Sequence, residues 1–73
     1  MKFDVKNYKQ FNEERKNYEI VWFFHDNVMI GSCSANEDII IRDFIDDELI
    51  VQFANNSYMM YCTSIELSEF RKW

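Results

Sequence analysis

The sequence predicts an α+β fold: an N-terminal amphipathic helix on a curled antiparallel sheet of four or five strands, with a short C-terminal helix as a further option. Near the N-terminus, apolar residues are spaced as on one face of a helix. Later residues form short runs rich in β-branched and aromatic side chains, separated by pairs of Asn and Asp. The chain has 73 residues, one glycine and no proline, so we interpret residues 1–73 as a single domain.

The N-terminal helix is predicted for residues 4–18. Asp4 stands at its start, where a carboxylate can accept hydrogen bonds from the first backbone N–H groups. The apolar residues that would share one helix face are Val5, Tyr8, Phe11 and Tyr18.

Two β-hairpins are predicted after this helix. Asp26–Asn27 and Asn55–Asn56 are residue types that tolerate the positive φ of a tight two-residue turn. The predicted strand pairs are Ile20–His25 with Val28–Ser34, and Leu49–Ala54 with Ser57–Ile65.

The segment between the hairpins has two interpretations. The isoleucines at 39–41 favour a strand that turns into the next one at Asp46–Asp47. The alternative is a helix, because Ser34 and Glu37 have the spacing of a capping box and later apolar residues recur at helical intervals. We predict the strand, whereas helical spacing within residues 66–73 indicates the short C-terminal helix.

Several of the predicted strands are apolar on both faces. Apolar residues occupy consecutive positions in Ile20–Phe24 and all but one position in Leu49–Phe53. An open sheet with one face in water would leave half of these side chains unburied. We therefore expect that the sheet closes into a barrel, is covered by the helices, or buries one face in a partner, such as a second copy in a homodimer.

Residues 49–67 read LIVQFANNSYMMYCTSIEL, which resembles the closing strands of small SH3-like or Tudor-like barrels, with Asn56 in place of their turn glycine. The resemblance implies a small barrel that binds a cationic or proline-rich peptide in an aromatic cage. Successive side chains alternate between the two faces of a strand, so Tyr58 and Tyr61 cannot share a face and at least one of them is expected to be accessible. The aromatic residues available for a cage are Trp22, Phe53, Tyr58 and Tyr61.

The sequence favours a cytoplasmic protein. No apolar run exceeds five residues, whereas a membrane-spanning helix needs about 20. The residues after Met1 lack the apolar stretch of a signal peptide. Because the cytoplasm is reducing, Cys33 and Cys62 are expected to be thiols.

The acidic residues are unevenly distributed. Residues 1–18 have a net charge of +2 and residues 19–69 a net charge of −9, and two basic residues near the C-terminus bring the total to −5. The field of such a body repels nucleic acid and attracts basic surfaces. We therefore expect a protein with a basic surface as partner, and neither direct nucleic-acid binding nor membrane binding.

No catalytic, metal-binding or cofactor-binding motif is predicted. His25 is the only histidine and has Cys33 across the first hairpin, but neither a second base nor a glycine-rich loop accompanies it. With Cys62 as a third candidate ligand, the set still lacks the short paired spacing of structural zinc sites. We expect a protein that is not an enzyme and has no cofactor.

Six carboxylates fall within twelve residues: Glu37, Asp38, Asp43, Asp46, Asp47 and Glu48. They favour either a solubilising face that prevents aggregation of sheet edges or a surface that binds a partner. On one strand, carboxylates two residues apart recur about every 6.6 Å, and such an array can displace ions from a basic channel as DNA does.

Small size and acidity make the chain similar in profile to small viral proteins that inhibit host nucleases by mimicking DNA, anti-CRISPR proteins among them. The predicted function is a non-catalytic, acidic protein-binding module that inhibits a partner by occupying its basic, nucleic-acid-binding groove. The alternatives are the peptide-binding barrel and a structural homodimer subunit. The predicted partner-binding residues are the six acids together with Tyr58 and Tyr61.

Overall fold

Strands make up most of the protein, and they form two antiparallel sheets. A computed structural model describes residues 1–36, 39–54 and 57–71, and the elements below belong to these ranges. They are β1 (Lys2–Asp4), a 3-10 turn (Val5–Asn7), α1 (Tyr8–Glu14), a second 3-10 turn (Arg15–Asn17), β2 (Tyr18–His25), β3 (Val28–Ser34), β4 (Ile39–Ile45), β5 (Glu48–Phe53), β6 (Met59–Cys62) and β7 (Ser64–Phe70). One sheet has the strand order β1-β7-β2-β3 and the other has the order β4-β5-β6.

The predicted α+β class is wrong, because the protein is mostly β. Within the described ranges, helical structure is limited to the 13 residues between β1 and β2. None of the described helices is long and apolar enough to cross a membrane. The predicted single sheet of four or five strands is also wrong, since four strands form one sheet and three form another.

The predicted C-terminal helix is wrong as well, because residues 64–70 form β7. This strand lies inside the four-stranded sheet, between β1 and β2. Ile65 and Leu67 are buried directly opposite buried residues of β2, so the period of the apolar pattern is two. Phe70, which suggested a helix by its spacing from Leu67, is exposed, and its ring packs against Tyr18 with centroids 5.0 Å apart.

The predicted N-terminal helix is present, but it is shorter and follows a strand. β1 pairs with β7, and the helical turns then extend over residues 5–17. Asp4 is the cap that the sequence predicts, because its Oδ1 accepts a hydrogen bond from the backbone N–H of Lys6 at 2.9 Å. Phe11 is buried as predicted, whereas Tyr18 is the first residue of β2.

Two turns of aspartate and asparagine connect strands as the sequence predicts. Asp26 and Asn27 have φ values of 48° and 67°, and Asp46 and Asp47 have φ values of 52° and 63°. Positive φ at both central residues is the geometry that suits two-residue hairpins. The first hairpin and the strand interpretation of residues 39–45 are confirmed, and the helical alternative for that segment is wrong.

The second predicted hairpin is confirmed in its pairing but not in its length. β5 pairs with β6, with Leu49 opposite Cys62. Its predicted turn, Asn55–Asn56, lies outside the described residues. The second strand does not continue to Ile65, because β6 ends at Cys62 and β7 belongs to the other sheet.

Thr63 is the point at which the chain passes from one sheet to the other. Its backbone N–H donates to the carbonyl oxygen of Phe24 at 2.8 Å, and its own carbonyl accepts from the N–H of Val5 at 3.4 Å. Its Oγ1 accepts from the N–H of Asp26 at 2.9 Å. The bend is therefore bonded to β2, to the β2–β3 turn and to the start of the helical segment.

The two sheets bury their facing sides in one core. Phe23 of β2 and Phe53 of β5 meet edge to face, with ring centroids 5.9 Å apart. The helical segment adds Phe11, whose ring contacts that of Phe3 at a centroid distance of 6.2 Å. The buried core residues are Phe3, Val5, Phe11, Val21, Phe23, Ala35, Ile39, Leu49, Val51, Phe53, Met60, Cys62, Ile65 and Leu67.

The outer face of β2 is covered in part by side chains of its own sheet. Trp22 is half-buried, and its Nε1 donates to Ser68 Oγ at 2.8 Å. Lys2 places its Nζ 5.0 Å from the ring centroid of Phe24. Side chains of the same sheet therefore shield part of the outer apolar face of β2, for which the sequence predicts some cover.

The two sheets are close at both sides without pairing in the described part of the chain. At one side β3 approaches β6, and a Cβ atom on Gly31 would lie 2.9 Å from Met60 Sδ. At the other side α1 lies beside β4, where the rings of Tyr8 and Phe44 have centroids 6.4 Å apart.

The two cysteines do not form a disulfide. Cys62 is fully buried in β6, and its Sγ donates to the carbonyl oxygen of Leu49 at 3.5 Å. This burial raises the pKa of the Cys62 thiol to about 12. Cys33 is half-buried on β3, opposite Val21.

We expect that Ile65→Val lowers the free energy of unfolding by about 0.5–1.5 kcal/mol, because it removes a methylene from the core. Ile40→Val is the matched control, since Ile40 lies on the exposed side of β4, and it should change stability by less than about 0.5 kcal/mol. Valine keeps the branched Cβ in both variants, so strand propensity changes little. Urea unfolding measures both values, and equal effects would show that β7 is not central to the core.

The buried thiol predicts a pH dependence of stability. In the unfolded chain Cys62 has an ordinary pKa near 9.0, whereas the folded chain keeps the proton up to a pH of about 12. The contribution of the protonated Cys62 thiol to the free energy of unfolding is complete below pH 9 and is lost as the pH rises from 9 towards 12. Between pH 9 and 12 the free energy of unfolding, measured with urea, should fall more steeply with pH for the wild type than for Cys62→Ala. Parallel pH profiles of the two proteins would show that the pKa of the Cys62 thiol is not raised by folding.

Candidate partner-binding groove

The acidic residues predicted to bind a partner do not form a row along one strand. Asp46 and Asp47 form the β4–β5 turn, Glu48 begins β5, and Asp43 lies on β4 beside a register irregularity. The remaining predicted acids, Glu37 and Asp38, lie outside the described residues. The regular array that a single strand of alternating carboxylates would present is therefore not seen among the described acids.

Asp43 lies apart from the other described acids, in a polar cleft between α1 and β4. The cleft has a volume of about 620 Å³, and its lining includes Arg15 and Arg42. Asp43 Oδ1 accepts a hydrogen bond from the backbone N–H of Phe44 at 2.8 Å. Asp43 therefore shares this cleft with two basic side chains and not with the other acids.

Two turns bring four carboxylates to one end of the protein, which we call the acidic end: Asp26, Asp46, Asp47 and Glu48. The connection runs through His25, whose Nδ1 is 3.3 Å from Glu48 Oε1 and whose Nε2 is 3.4 Å from Asp26 Oδ2. Lys6 Nζ is 4.0 Å from Asp47 Oδ1, but both side chains are exposed, so this ion pair is weak.

His25 holds two elements together rather than forming a pair with Cys33. Its Nδ1 lies 3.1 Å from the carbonyl oxygen of Tyr61, so the ring connects β2 to β6. His25 is opposite Val28 in the β2–β3 register, whereas Cys33 is opposite Val21 near the other end of the hairpin. The described residues contain no group of three His, Cys, Asp or Glu side chains that could hold a metal ion.

An apolar groove lies between β3 and β6, next to the acidic end. Its volume is about 600 Å³. Its lining comes from the β2–β3 turn, from β3 and from the segment around β6: His25, Asp26, Val28, Ile30, Tyr58, Met59, Met60 and Tyr61. Val28 is 64% exposed and Tyr58 58% exposed, which are high values for large apolar or aromatic side chains on a small protein.

The groove exists because β3 and β6 are both edge strands. The two sheets meet at Gly31 and Met60, and no pairing joins β3 to β6 in the described part of the chain. The β2–β3 pairing also shifts register between Phe23 and Phe24, which bends the hairpin locally. The acidic end lies beside one end of this opening, since Asp26 belongs to both.

Both tyrosines predicted to bind a partner line the groove. Tyr61 is 48% exposed, and Tyr58 stacks on the buried ring of Phe53 with centroids 6.4 Å apart and an interplanar angle of 14°. The four-residue aromatic cage is not assembled, because Trp22 lies on the outer face of the other sheet and Phe53 is in the core. The groove is therefore bordered by two accessible tyrosines and several aliphatic side chains.

Neither segment that borders the groove contains a basic residue. Val28–Ser34 has no charged residue at all, and the same is true of Ser57–Thr63. The charged groups among the groove-lining residues and their direct contacts are the carboxylates of Asp26 and Glu48. An apolar surface with an acidic border fits a partner segment that is apolar and basic.

The sequence prediction missed Val28, Ile30 and Met59. These residues continue ordinary strand patterns, so their types alone do not distinguish them from core residues. The signal that could have identified β3 is its composition, because seven residues without a charge or a proline lack the usual protection of an edge strand.

Comparison with described protein families, with curated proteins and with solved structures finds no match to this chain.

Proposed function

We propose that the protein is a non-catalytic binding module that takes an apolar and basic segment of a partner protein into the groove between β3 and β6. The observation that supports this most is the exposure of Val28, Ile30, Tyr58, Met59 and Tyr61 around one groove of about 600 Å³. Contiguous apolar surface of this kind usually marks an interaction site, because exposing it to water is unfavourable.

The charge distribution supports a basic partner. The acidic end borders the groove, and the whole chain has a net charge of −5. Opposite charge accelerates the encounter of two proteins and selects against partners of like charge. Tyrosine rings can also accept the positive charge of lysine or arginine over their faces.

A second candidate is the one that the acidity of the sequence suggested, an inhibitor that occupies the basic, nucleic-acid-binding groove of a partner. The two turns that bring Asp26, Asp46, Asp47 and Glu48 to one end favour it, since carboxylates can replace phosphates in contacts with Lys and Arg. In this candidate the acidic end makes the main contact and the apolar groove is secondary.

Selection of peptides from a random displayed library against the wild-type protein tests the first candidate. Enriched peptides should combine apolar residues with Lys or Arg. Tyr61→Ser should weaken their binding by at least about tenfold, because losing a buried aromatic contact costs about 2 kcal/mol or more at a central position. Fluorescence anisotropy with labelled peptides measures the affinities.

Ile45→Ser is the matched control for this measurement. Ile45 is 49% exposed, nearly the same as Tyr61, but it lies at the end of β4 and not in the groove. It should leave peptide affinity unchanged, and circular dichroism checks the fold of both variants. A library that yields no enriched peptides, or peptides that bind Tyr61→Ser as tightly as wild type, would sink the proposal.

Neutralising the acidic end separates the two candidates. In the double variant Asp26→Asn and Asp46→Asn the turns are retained, because asparagine tolerates the positive φ at both positions. We expect a loss of affinity of about threefold to tenfold for the enriched basic peptides, chiefly through a slower association rate. Raising the salt concentration from about 50 to 200 mM should have an effect in the same direction.

The control is the double variant Glu13→Gln and Glu14→Gln, which changes the net charge equally on α1. It should bind as the wild type does. If Tyr61→Ser is without effect while neutralisation of the acidic end abolishes binding, the second candidate is correct. If neither charge variant changes affinity, the acidic end serves only solubility.

A further inference from the structure

We propose that the partner segment binds by adding a β-strand to the outer edge of β3, beside Val28 and Ile30. The occupant is an extended segment of another protein in which apolar and basic residues alternate. This inference rests on the proposed function and specifies how the segment is held: its backbone bonds to β3, and its apolar side chains enter the groove.

The four sheet edges of the described structure differ in how well they are protected against added strands. β1 is three residues long and has Lys2 and Asp4 at its ends. β4 contains Arg42 and Asp43, has a register irregularity and lies beside α1. β6 is four residues long and ends at the Thr63 bend. Short length, charge, bulges and coverage are the devices by which sheets avoid unwanted pairing.

Of the two seven-residue edge strands, β3 and β4, only β3 lacks charged residues. It has seven residues, Val28–Ser34, and contains neither a charged residue nor a proline. Among the described strands it is the last of its sheet and has β2 as its neighbour on one side. Alternate residues of β3 therefore direct their N–H and C=O groups away from β2.

The groove lies where the side chains of an added strand would be placed. Val28 and Ile30 of β3 face it on one side, and Met59 and Tyr61 border it on the other. Side chains of a strand alternate between two faces, so every second residue of the added segment would enter the groove while the others point to solvent. This alternation is the reason for expecting apolar and polar residues in turn.

The negative net charge of the protein favours a different protein, and not a second copy of this chain, as the source of the added strand. Two copies joined along β3 would each have a net charge of −5, and β3 contains no basic residue that could offset this. Asp26 lies at the beginning of the hairpin edge, where a lysine or arginine of the added segment would be close to it. A basic partner segment therefore fits better than self-pairing.

The probe for this inference is an acetylated and amidated heptapeptide of alternating isoleucine and lysine. It is titrated into isotopically labelled wild-type protein while NMR records amide hydrogen exchange. At ten times the dissociation constant of the peptide, exchange of the edge-directed amides of β3 should slow by about tenfold, at alternate residues. The amides of β1 and β4 should not change.

Two N-methylated versions of the peptide provide matched controls. Methylation of one alternating set of backbone nitrogens removes the N–H groups that bond to β3 and should abolish binding. Methylation of the other set, which points away, should leave affinity within about threefold of the parent peptide. The two versions have the same composition, so a difference between them reports backbone pairing.

The other outcomes are also decisive. In one outcome the methyl signals of Val28 and Ile30 shift, amide exchange does not slow, and both methylated peptides bind. Side chains alone then hold the segment, so the strand addition is wrong while the proposed function stands.

If the β3 amides are protected without peptide and more so at higher protein concentration, the occupant is a second copy. Absence of any shift overturns the inference for alternating basic segments, and the library selection then decides the proposed function separately.

Discussion

The fold depends on the bend at Thr63. If the chain continued straight through this residue, β6 and β7 would form one long strand in one sheet. Instead the backbone of Thr63 bonds to Phe24 and Val5, and its hydroxyl accepts from Asp26, so one residue holds β2, the helical start and a turn together. The bend allows β7 to enter the centre of the four-stranded sheet while β6 remains in the other. The two inner faces then cover each other, with Phe23 against Phe53.

Local features were predictable from the sequence because their causes are local. Asp and Asn pairs at the turns adopt positive φ at little cost, so the sequence alone locates the first hairpin and the β4–β5 turn. The bend at Thr63 has no such marker, since neither glycine nor proline is near it. For the same reason Ile65 and Leu67 could be placed in a helix or a strand, and only their pairing with β2 decides.

The candidate site was predictable in part. The sequence predicts Tyr58 and Tyr61 as partner-binding residues and at least one of them as accessible, and both border the groove. Asp43 was grouped with the other acids because it is near them in sequence, but Arg15 of the distant helical segment lines the same cleft. Val28 and Ile30 could not be identified, because an apolar strand residue is exposed or buried according to the order of strands in the sheet. That order is set by long-range pairing, which periodicity does not report.

Gly31 has a consequence for the size of the groove. Its φ is not positive, so a glycine is not needed there for backbone conformation; the space above it is occupied by the Sδ and Cε atoms of Met60. Met60 also lines the groove. A residue as small as alanine at position 31 would push the end of this flexible side chain aside, and one direction open to it is the groove itself. The hydrogen atom that Gly31 has in place of a methyl group therefore sets the position of Met60, and with it the free volume at this part of the groove.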